Sequence, residues 1–459
     1  MDILGVFIVE LLYINVEESI MRKKSILWFA NNKNIVNIAK FTLLSFALLI
    51  LVWIVDIRYP IFKLDVPKLI LLSAEVSSTF LSNLSGVFLT VTTFTFTTIL
   101  TVITHYSGNY SPRVVQNFID KPKVLSLFGI FVGGFFYSVL SLFMLQNVEL
   151  DQPVLSGTIG VLYAIASMVY FVLFVRRVLR DIKSVNLIND IYEEALALVE
   201  EETNRREQSQ RYDHDSFTNN IKVYADVTGY LYGVDYGRLM GYLKDIKCEF
   251  VIHKKIGEYI PKGMYIATLD YIEDEAMNRD ESIEFLDNLS DTFILNKTKN
   301  DSQDYHNEIT NLVEIALRAI SPGINDPNTA INCISKISIL LGTLFGNENN
   351  FIVAESNENA KIVYISYSVE EELYLTFYQL INYGKSDPSV AYAILEAIYL
   401  IYMISDEKAG DSIKEFFEQT YQICYTNMES EMDRQHLKSI HDEFVDTKEK
   451  PIDEDASKN

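Results

Sequence analysis

From Asn83 to Tyr106 an apolar run is interrupted at regular steps by threonine. Asn83, Gly86, Thr90, Thr93, Thr97, Thr101 and Thr104 follow one another at steps of three and four, which places them in one stripe on a helix. Val87, Phe88, Leu89, Phe94, Phe96, Ile99 and Leu100 fill the other faces. A membrane span needs about 20 apolar residues, so the run is long enough to cross. A hydroxyl facing lipid without a partner costs roughly 1–3 kcal/mol. The stripe is therefore expected to face protein or water.

Three further runs have spanning length without the threonine repeat: Ile35–Ile57, Val124–Leu145 and Val154–Val175. Trp53 and Tyr59 stand where an interfacial aromatic belt belongs. Pro60 and Pro67 interrupt the first loop, and Lys68–Leu81 reads as an extension of the threonine helix. Ser111-Pro112 is an N-cap and N1 pair that predicts a short amphipathic helix before the third span. Gly129, Gly133 and Gly134 allow close helix approach in the third. Residues 1–34 carry Glu10, Glu17 and Glu18 and lack a signal-peptide pattern. They read as a cytosolic or interfacial segment, with Met21 a second candidate start. Residues 35–176 form the expected four-helix membrane domain.

Basic residues set the expected orientation. Arg22, Lys23, Lys24, Lys33 and Lys40 precede the first span. Arg113, Lys121 and Lys123 lie between the second and third, and Arg176, Arg177 and Arg180 follow the fourth. The third-to-fourth loop has no basic residue. Both termini are then cytoplasmic in a multi-pass protein of the cell membrane, although Arg58, Lys63 and Lys68 make the first outside loop basic.

After the fourth span, Ile182, Val185, Ile188, Tyr192, Leu196 and Val199 continue a helical stripe. It reads either as packing onto the body or as a coiled-coil stalk. Thr203–Asn220 has no apolar periodicity and reads as a linker, closing a segment at 177–220. From Ile221 the period shortens to that of strands around a helix starting near Asp235. Gly257-Glu-Tyr-Ile-Pro-Lys-Gly263 is similar to the turn of barrel-sandwich domains, without the acceptor lysine motif of the cofactor-carrying members. Residues 221–300 are expected to form a small β-rich domain, barrel-sandwich-like in part. Residues 301–446 form a helical domain with one hairpin around Asn357–Asn359, its helices opened by Asp326-Pro327, Ser368 with Glu371, and Asp387-Pro388. The tail, 447–459, is disordered by composition. The fold class is a four-span α-helical membrane domain followed by a cytosolic α+β domain.

Charge separates the two parts. Residues 1–180 hold 14 Lys+Arg and 10 Asp+Glu, and the remainder holds 25 and 52. The acidic second part argues against nucleic acid as a partner, since phosphate binding calls for a basic face. Three distant cysteines, Cys248, Cys333 and Cys424, suit a reducing compartment and no disulfide framework. The six histidines show no metal-ligand spacing, so neither a metal nor another cofactor is expected.

Two stretches carry a resemblance. HYSGNYSPRVVQNFIDKPKVLSLFGIFVGGFFYSVL and EIALRAISPGINDPNTA, Glu314–Ala330, resemble a bacterial family of predicted membrane proteins, domain of unknown function twenty-two fifty-four. The resemblance covers nearly the whole chain and implies its architecture, with no established activity. NKTKNDSQD, 296–304, is looser than the family's Arg-Thr…Gln-Asp segment, so the resemblance assigns no role to Thr298, Gln303 or Asp304.

Two sets of residues are candidate sites. A hydroxyl-lined helix repeated around a symmetry axis makes a wet, uncharged pore wall with apolar rings as gates. His105 and Arg113 would then stand at its cytosolic mouth. The competing reading is that the threonines bond their own helix and permit tight packing. Arg318, Asn325 and Asp326 form the second set, as candidate ligand contacts beside a helix N-terminus, or as a helix–turn–helix corner. Glu200–Glu202 and Glu370–Glu372 read as solvated helix faces. No nucleophile–base pair accompanies them, which makes an enzyme the weaker class. The expectation is a homo-oligomeric channel or transport protein in the bilayer, regulated through its acidic domain by an ion or small molecule. The alternative is a membrane-anchored sensor or scaffold.

Overall fold

A computed structural model describes residues 33–58, 70–109, 122–181, 184–210, 217, 219–272, 279–297 and 304–449. The expectations for most of 1–34, Tyr59, Pro60, Pro67, the helix from Ser111-Pro112, Thr298, Gln303 and most of the tail lie outside these residues. The chain divides into two compact units, Met1–Asn186 and Leu187–Asn459.

The first unit is built on helices α1 (Lys33–Trp53, extended by a π turn Ile54–Arg58), α2 (Ala74–Asn109), α3 (Pro122–Leu145) and α4 (Ser156–Asp181). Four segments in them are long and apolar enough to cross a membrane: Ile38–Asp56, Ala74–Thr104, Ser126–Leu145 and Ser156–Arg176. The α2 helix does not begin at Lys68. A short strand β1 (Leu72–Ser73) precedes it and pairs antiparallel with β2 (Pro153–Val154). This pairing brings the first and third connections to one end of the unit.

The glycines of α3 sit where α1 presses closest. A Cβ on Gly129 would lie 2.7 Å from the Ile38 carbonyl oxygen, and one on Gly133 would collide with the Ser45 side chain. Several polar groups inside the unit are tied to one another. The Tyr163 hydroxyl donates to the Ile130 carbonyl at 2.6 Å and lies 2.8 Å from Ser45 Oγ, and Tyr137 donates to the Ser156 carbonyl at 2.9 Å. Asp56, 2% exposed, accepts the backbone N–H groups of Leu155 and Ser156 at 2.8 and 3.0 Å, capping α4 from the end of α1.

The second unit opens with α5 (Ser184–Ser209). The expected linker from Thr203 is corrected here: the helix continues to Ser209. Its buried stripe runs Ile188, Ile191, Ala195, Val199, Glu202, Arg206 and Ser209. The steps stay at three and four, but the last three positions are polar, so apolar periodicity ends where burial does not.

Strands β3 (Asn219–Tyr224), β4 (Gly229–Val234), β5 (Cys248–Ile252), β6 (Tyr259–Ile260) and β7 (Tyr265–Tyr271) follow, with α6 (Tyr236–Leu243) between β4 and β5. The sequence pattern did not announce α7 (Arg279–Ser290) or β8 (Phe293–Asn296). Then come α8 (Tyr305–Ala319), α9 (Pro327–Leu344), the hairpin β9 (Phe351–Ser356) and β10 (Ala360–Ile365), α10 (Val369–Gly384), α11 (Pro388–Ile404), α12 (Gly410–Asn427) and α13 (Glu431–Glu449).

Two sheets form: β3-β7-β5-β10-β9 and β6-β4-β8. No closed barrel is found among the described residues, which leaves the barrel-sandwich detail unconfirmed. The physical reason is strand recruitment. β10 joins parallel to β5 through Ala360↔Cys248 to Tyr364↔Ile252, while β4 leaves to pair with β6 and β8. One sheet thus joins the segments expected as a β-rich and a helical domain. The turn itself is as read: Gly257 and Gly263 take φ of 82° and 80°, where a side chain is disfavoured. Asp326, the Ser368–Glu371 capping box and Asp387 open α9, α10 and α11, respectively, as their sequences predict.

Candidate functional site

On α2 the buried positions alongside the stripe are Leu81, Phe88, Thr95, Ile99 and Val102. At about 100° per residue they define a face roughly opposite the threonine stripe. Asn83, Gly86, Thr90, Thr93, Thr97, Thr101 and Thr104 are all exposed, on the side turned away from the other three helices. Exposed Val87, Leu89, Phe94, Phe96 and Leu100 flank them. Each stripe hydroxyl donates to the carbonyl four residues back: Thr90 to Gly86, Thr93 to Leu89, Thr97 to Thr93, Thr101 to Thr97 and Thr104 to Leu100, at 2.9–3.0 Å. The hydroxyl protons are satisfied within the helix, and each oxygen keeps lone pairs for an outside donor or cation. His105 lies in the last turns of α2, its side chain outside the described residues, as is Arg113 entirely.

Arg318, Asn325 and Asp326 gather at the corner between α8 and α9, all exposed. Asn325 takes φ 51°, a left-handed conformation that asparagine tolerates, and its N–H donates to the Ser321 carbonyl at 2.9 Å. Asp326 caps α9, accepting the Thr329 N–H at 3.2 Å and its hydroxyl at 2.6 Å. The Arg318 carbonyl accepts the Ser321 hydroxyl at 2.6 Å.

A separate polar groove in the second unit escaped the sequence reading. Its smaller lobe, about 230 Å³, is lined by α5, β10 and the start of α8. Its larger lobe, about 560 Å³, lies between the β5–β6 connection, α8 and α10. Lys254, Lys255, Ile256, Asp304 and Tyr367 line both. Glu202 and Glu372, expected on solvated faces, are 6% and 0% exposed, which corrects that expectation. Their positions follow from helix phase. Glu202 continues the buried stripe of α5, and Glu372 falls on the inner side of the first turn of α10, fixed by the capping box at Ser368.

Behind the wall of the smaller lobe, Arg206 is 0% exposed and ties Glu202, Ser366 and Tyr367 of the lining together. It donates to Ser366 Oγ and the Tyr367 carbonyl, both at 3.1 Å, and its Nε lies 3.6 Å from Glu202 Oε1. Glu202 accepts the hydroxyls of Ser366 and Tyr364, both at 2.7 Å. Burial raises the phenols of Tyr305, Tyr364 and Tyr367 well above the ordinary range and pushes Tyr236 up to about 12. They act as neutral donors.

Between the lobes, Lys255 Nζ stands 3.9 Å from the Tyr367 ring centroid and 2.7 Å from Glu371 Oε2. Tyr367 stacks on His306 at 4.3 Å, and His306 Nδ1 lies 2.8 Å from Glu372 Oε1. Burial raises Asp304 to about 6, against the opposing pull of His306. Burial also pushes Glu371 upward, but its bond to Lys255 outweighs this and leaves it below the ordinary range. The groove is an aromatic-walled cavity with carboxylate and cationic side chains in its lining, suited to holding a small polar molecule. Neither lobe includes Arg318, Asn325 or Asp326 in its lining.

A family model described as predicted membrane protein (DUF2254) matches residues 33–399. The uncharacterized protein MT1328 of Mycobacterium tuberculosis (strain CDC 1551 / Oshkosh) is 22% identical over 303 residues, 64% of this chain. The chain spans 57% of that relative's length. No solved structure matches.

Proposed function

The chain belongs to this DUF2254 family of predicted membrane proteins, and from that premise we propose that it is a homo-oligomeric channel or transport protein whose shared path is lined by α2. The observation that carries the reading is the outward stripe from Asn83 to Thr104, opposite the face that α2 buries in its own unit. A path inside one chain has no place for it, whereas a ring of copies turns it inward. Because the hydroxyl protons are already used, the wall offers oxygen lone pairs, which favours hydrated cations over anions. The acidic second unit, with its groove, is the regulatory part in this reading, and His105 and Arg113 stand at the cytosolic mouth.

The second reading is a membrane-anchored sensor or scaffold whose cytosolic part binds a ligand or partner, in the groove or at the Arg318–Asn325–Asp326 corner, without conduction. The same threonine bonds favour it, since a back-bonded hydroxyl is tolerated against lipid.

Planar-bilayer conductance separates the two. Cys248, Cys333 and Cys424 are buried, and burial pushes each thiol up to about 12, so a charged thiol reagent leaves them largely untouched. The expected result is a current that the reagent alters in Thr97→Cys and leaves unchanged in the native chain. A folded, inserted Thr97→Cys protein that stays monomeric, with a cysteine unreactive toward the reagent, sinks the channel reading in favour of the sensor.

A further inference from the structure

The larger lobe of the groove contains polar side chains that the protein itself leaves unanswered. Asn307, 6% exposed, has an amide nitrogen with no acceptor, and Thr376, 2% exposed, has a hydroxyl with no partner. Both line the cavity of about 560 Å³, one from α8 and the other from α10. One helical turn before Thr376, behind the lining of the lobe, lies Glu372, 0% exposed. Its Oε1 takes His306 Nδ1 at 2.8 Å, while its buried Oε2 has no partner. Buried polar atoms are nearly always paired, so three orphans on two packed helices call for an explanation.

Thr376 makes the point sharpest. Thr310 lines the same cavity and rests its hydroxyl on the His306 carbonyl at 2.8 Å, the usual position for a helical threonine. Thr376 declines the equivalent bond to its own helix. The two lysines are already matched, Lys254 by Glu258 at 2.6 Å and Lys255 by Glu371 at 2.7 Å, and Asp304, His306 and Glu314 also line the lobe. A polyanion or a multivalent cation would therefore meet repulsion from half of the surroundings. What the orphans require is an acceptor for the Asn307 amide and a donor for Thr376 and Glu372. A donor facing a carboxylate binds most strongly when it is itself charged.

We infer that this lobe binds a small zwitterion, its carboxylate accepting from Asn307 Nδ2 and its ammonium donating to Thr376 on the wall that the Glu372 carboxylate backs, the chemistry of a free α-amino acid. The cavity falls within the range of about 300–1,000 Å³ usual for small-molecule sites. This assignment stands whether or not the protein conducts.

The test uses the full chain in mild detergent, with calorimetry and thermal melting. Each proteinogenic L-amino acid serves as a probe, and propionate and ethylammonium are single-charge controls. At least one amino acid is expected to give saturable binding and raise Tm, and neither control to do so. Thr376→Val should raise the Tm of the ligand-free protein, because it removes an unpaired hydroxyl at nearly constant shape, and should weaken binding roughly tenfold. Asn307→Ser should weaken it similarly, which keeps the test intact if one variant folds poorly, and the ligand-free Tm reports folding in each case. Folded native protein that binds no amino acid overturns the inference. So does binding that both variants leave unchanged, or a Thr376→Val protein that melts lower and binds as well as the native chain.

Discussion

Arg206 illustrates how the residue scale escapes pattern reading. In sequence it belongs to a polar stretch; in the fold it is sealed from water by Glu202, Ser366 and the Tyr367 carbonyl. Removing one partner of a buried ion pair strands the other charge, so Arg206→Ala is expected to cost about 3–5 kcal/mol, measured by chemical denaturation. Asp304 offers a pH test. Its folded pKa of about 6 lies above the ordinary aspartate value, so the fold holds the proton more tightly than the unfolded chain. Its contribution to stability is complete at pH values below about 4 and is lost as pH rises through about 6. Asp304→Asn keeps a capping side chain and removes the titration. The variant's stability relative to the native chain should therefore climb by up to about 3 kcal/mol between those pH values, read as Tm differences across a pH series. Neither residue was legible as a site, because hydrophobic periodicity marks apolar burial only, and both are polar groups drawn away from water, Arg206 fully and Asp304 in part.

At the element scale the sequence was far more informative. Four spans, the β9–β10 hairpin and the capped starts of α9, α10 and α11 follow from local rules, since caps and apolar periods are contacts within a few residues. Asp56 lies beyond such rules, because it caps α4 from 99 residues away. Asp56→Ala should lower stability by about 1–3 kcal/mol through loss of two charge-assisted bonds to buried N–H groups, seen as a reduced Tm in detergent. The threonine face makes the opposite prediction. Thr93→Val and Thr97→Val lose only bonds within their own turn, so each should change the stability of the fold by no more than about 0.5 kcal/mol. A large loss of Tm on either substitution would show that the face packs against something within the chain.

For the molecule as a whole, each unit has its own logic. The first closes over glycines that let α3 meet α1 backbone to side chain. The second is held by a sheet that takes β10 from beyond α9 and lays it parallel to β5. The outward face of α2 turns the function into a question of assembly. Light scattering in mild detergent is expected to give a multiple of the chain mass. Thr97→Leu combined with Thr101→Leu should shift that mass toward the monomer while the Tm of the folded chain holds, since neither side chain is buried in its own unit.

The sequence by itself determined the number of spans, the helix starts, the turn glycines and the composition of the threonine stripe. All of these are set by the local period, by capping or by backbone conformation. Tertiary structure alone decided where the stripe points, because periodicity groups residues on a face without saying what that face meets. It also decided that the strands form open sheets, because the partner of β5 lies more than 100 residues away. The groove belongs to the same class: Glu202, Asn307 and Thr376 line one site only when α5, α8, α10 and β10 converge, and polar side chains carry no mark of burial until they do.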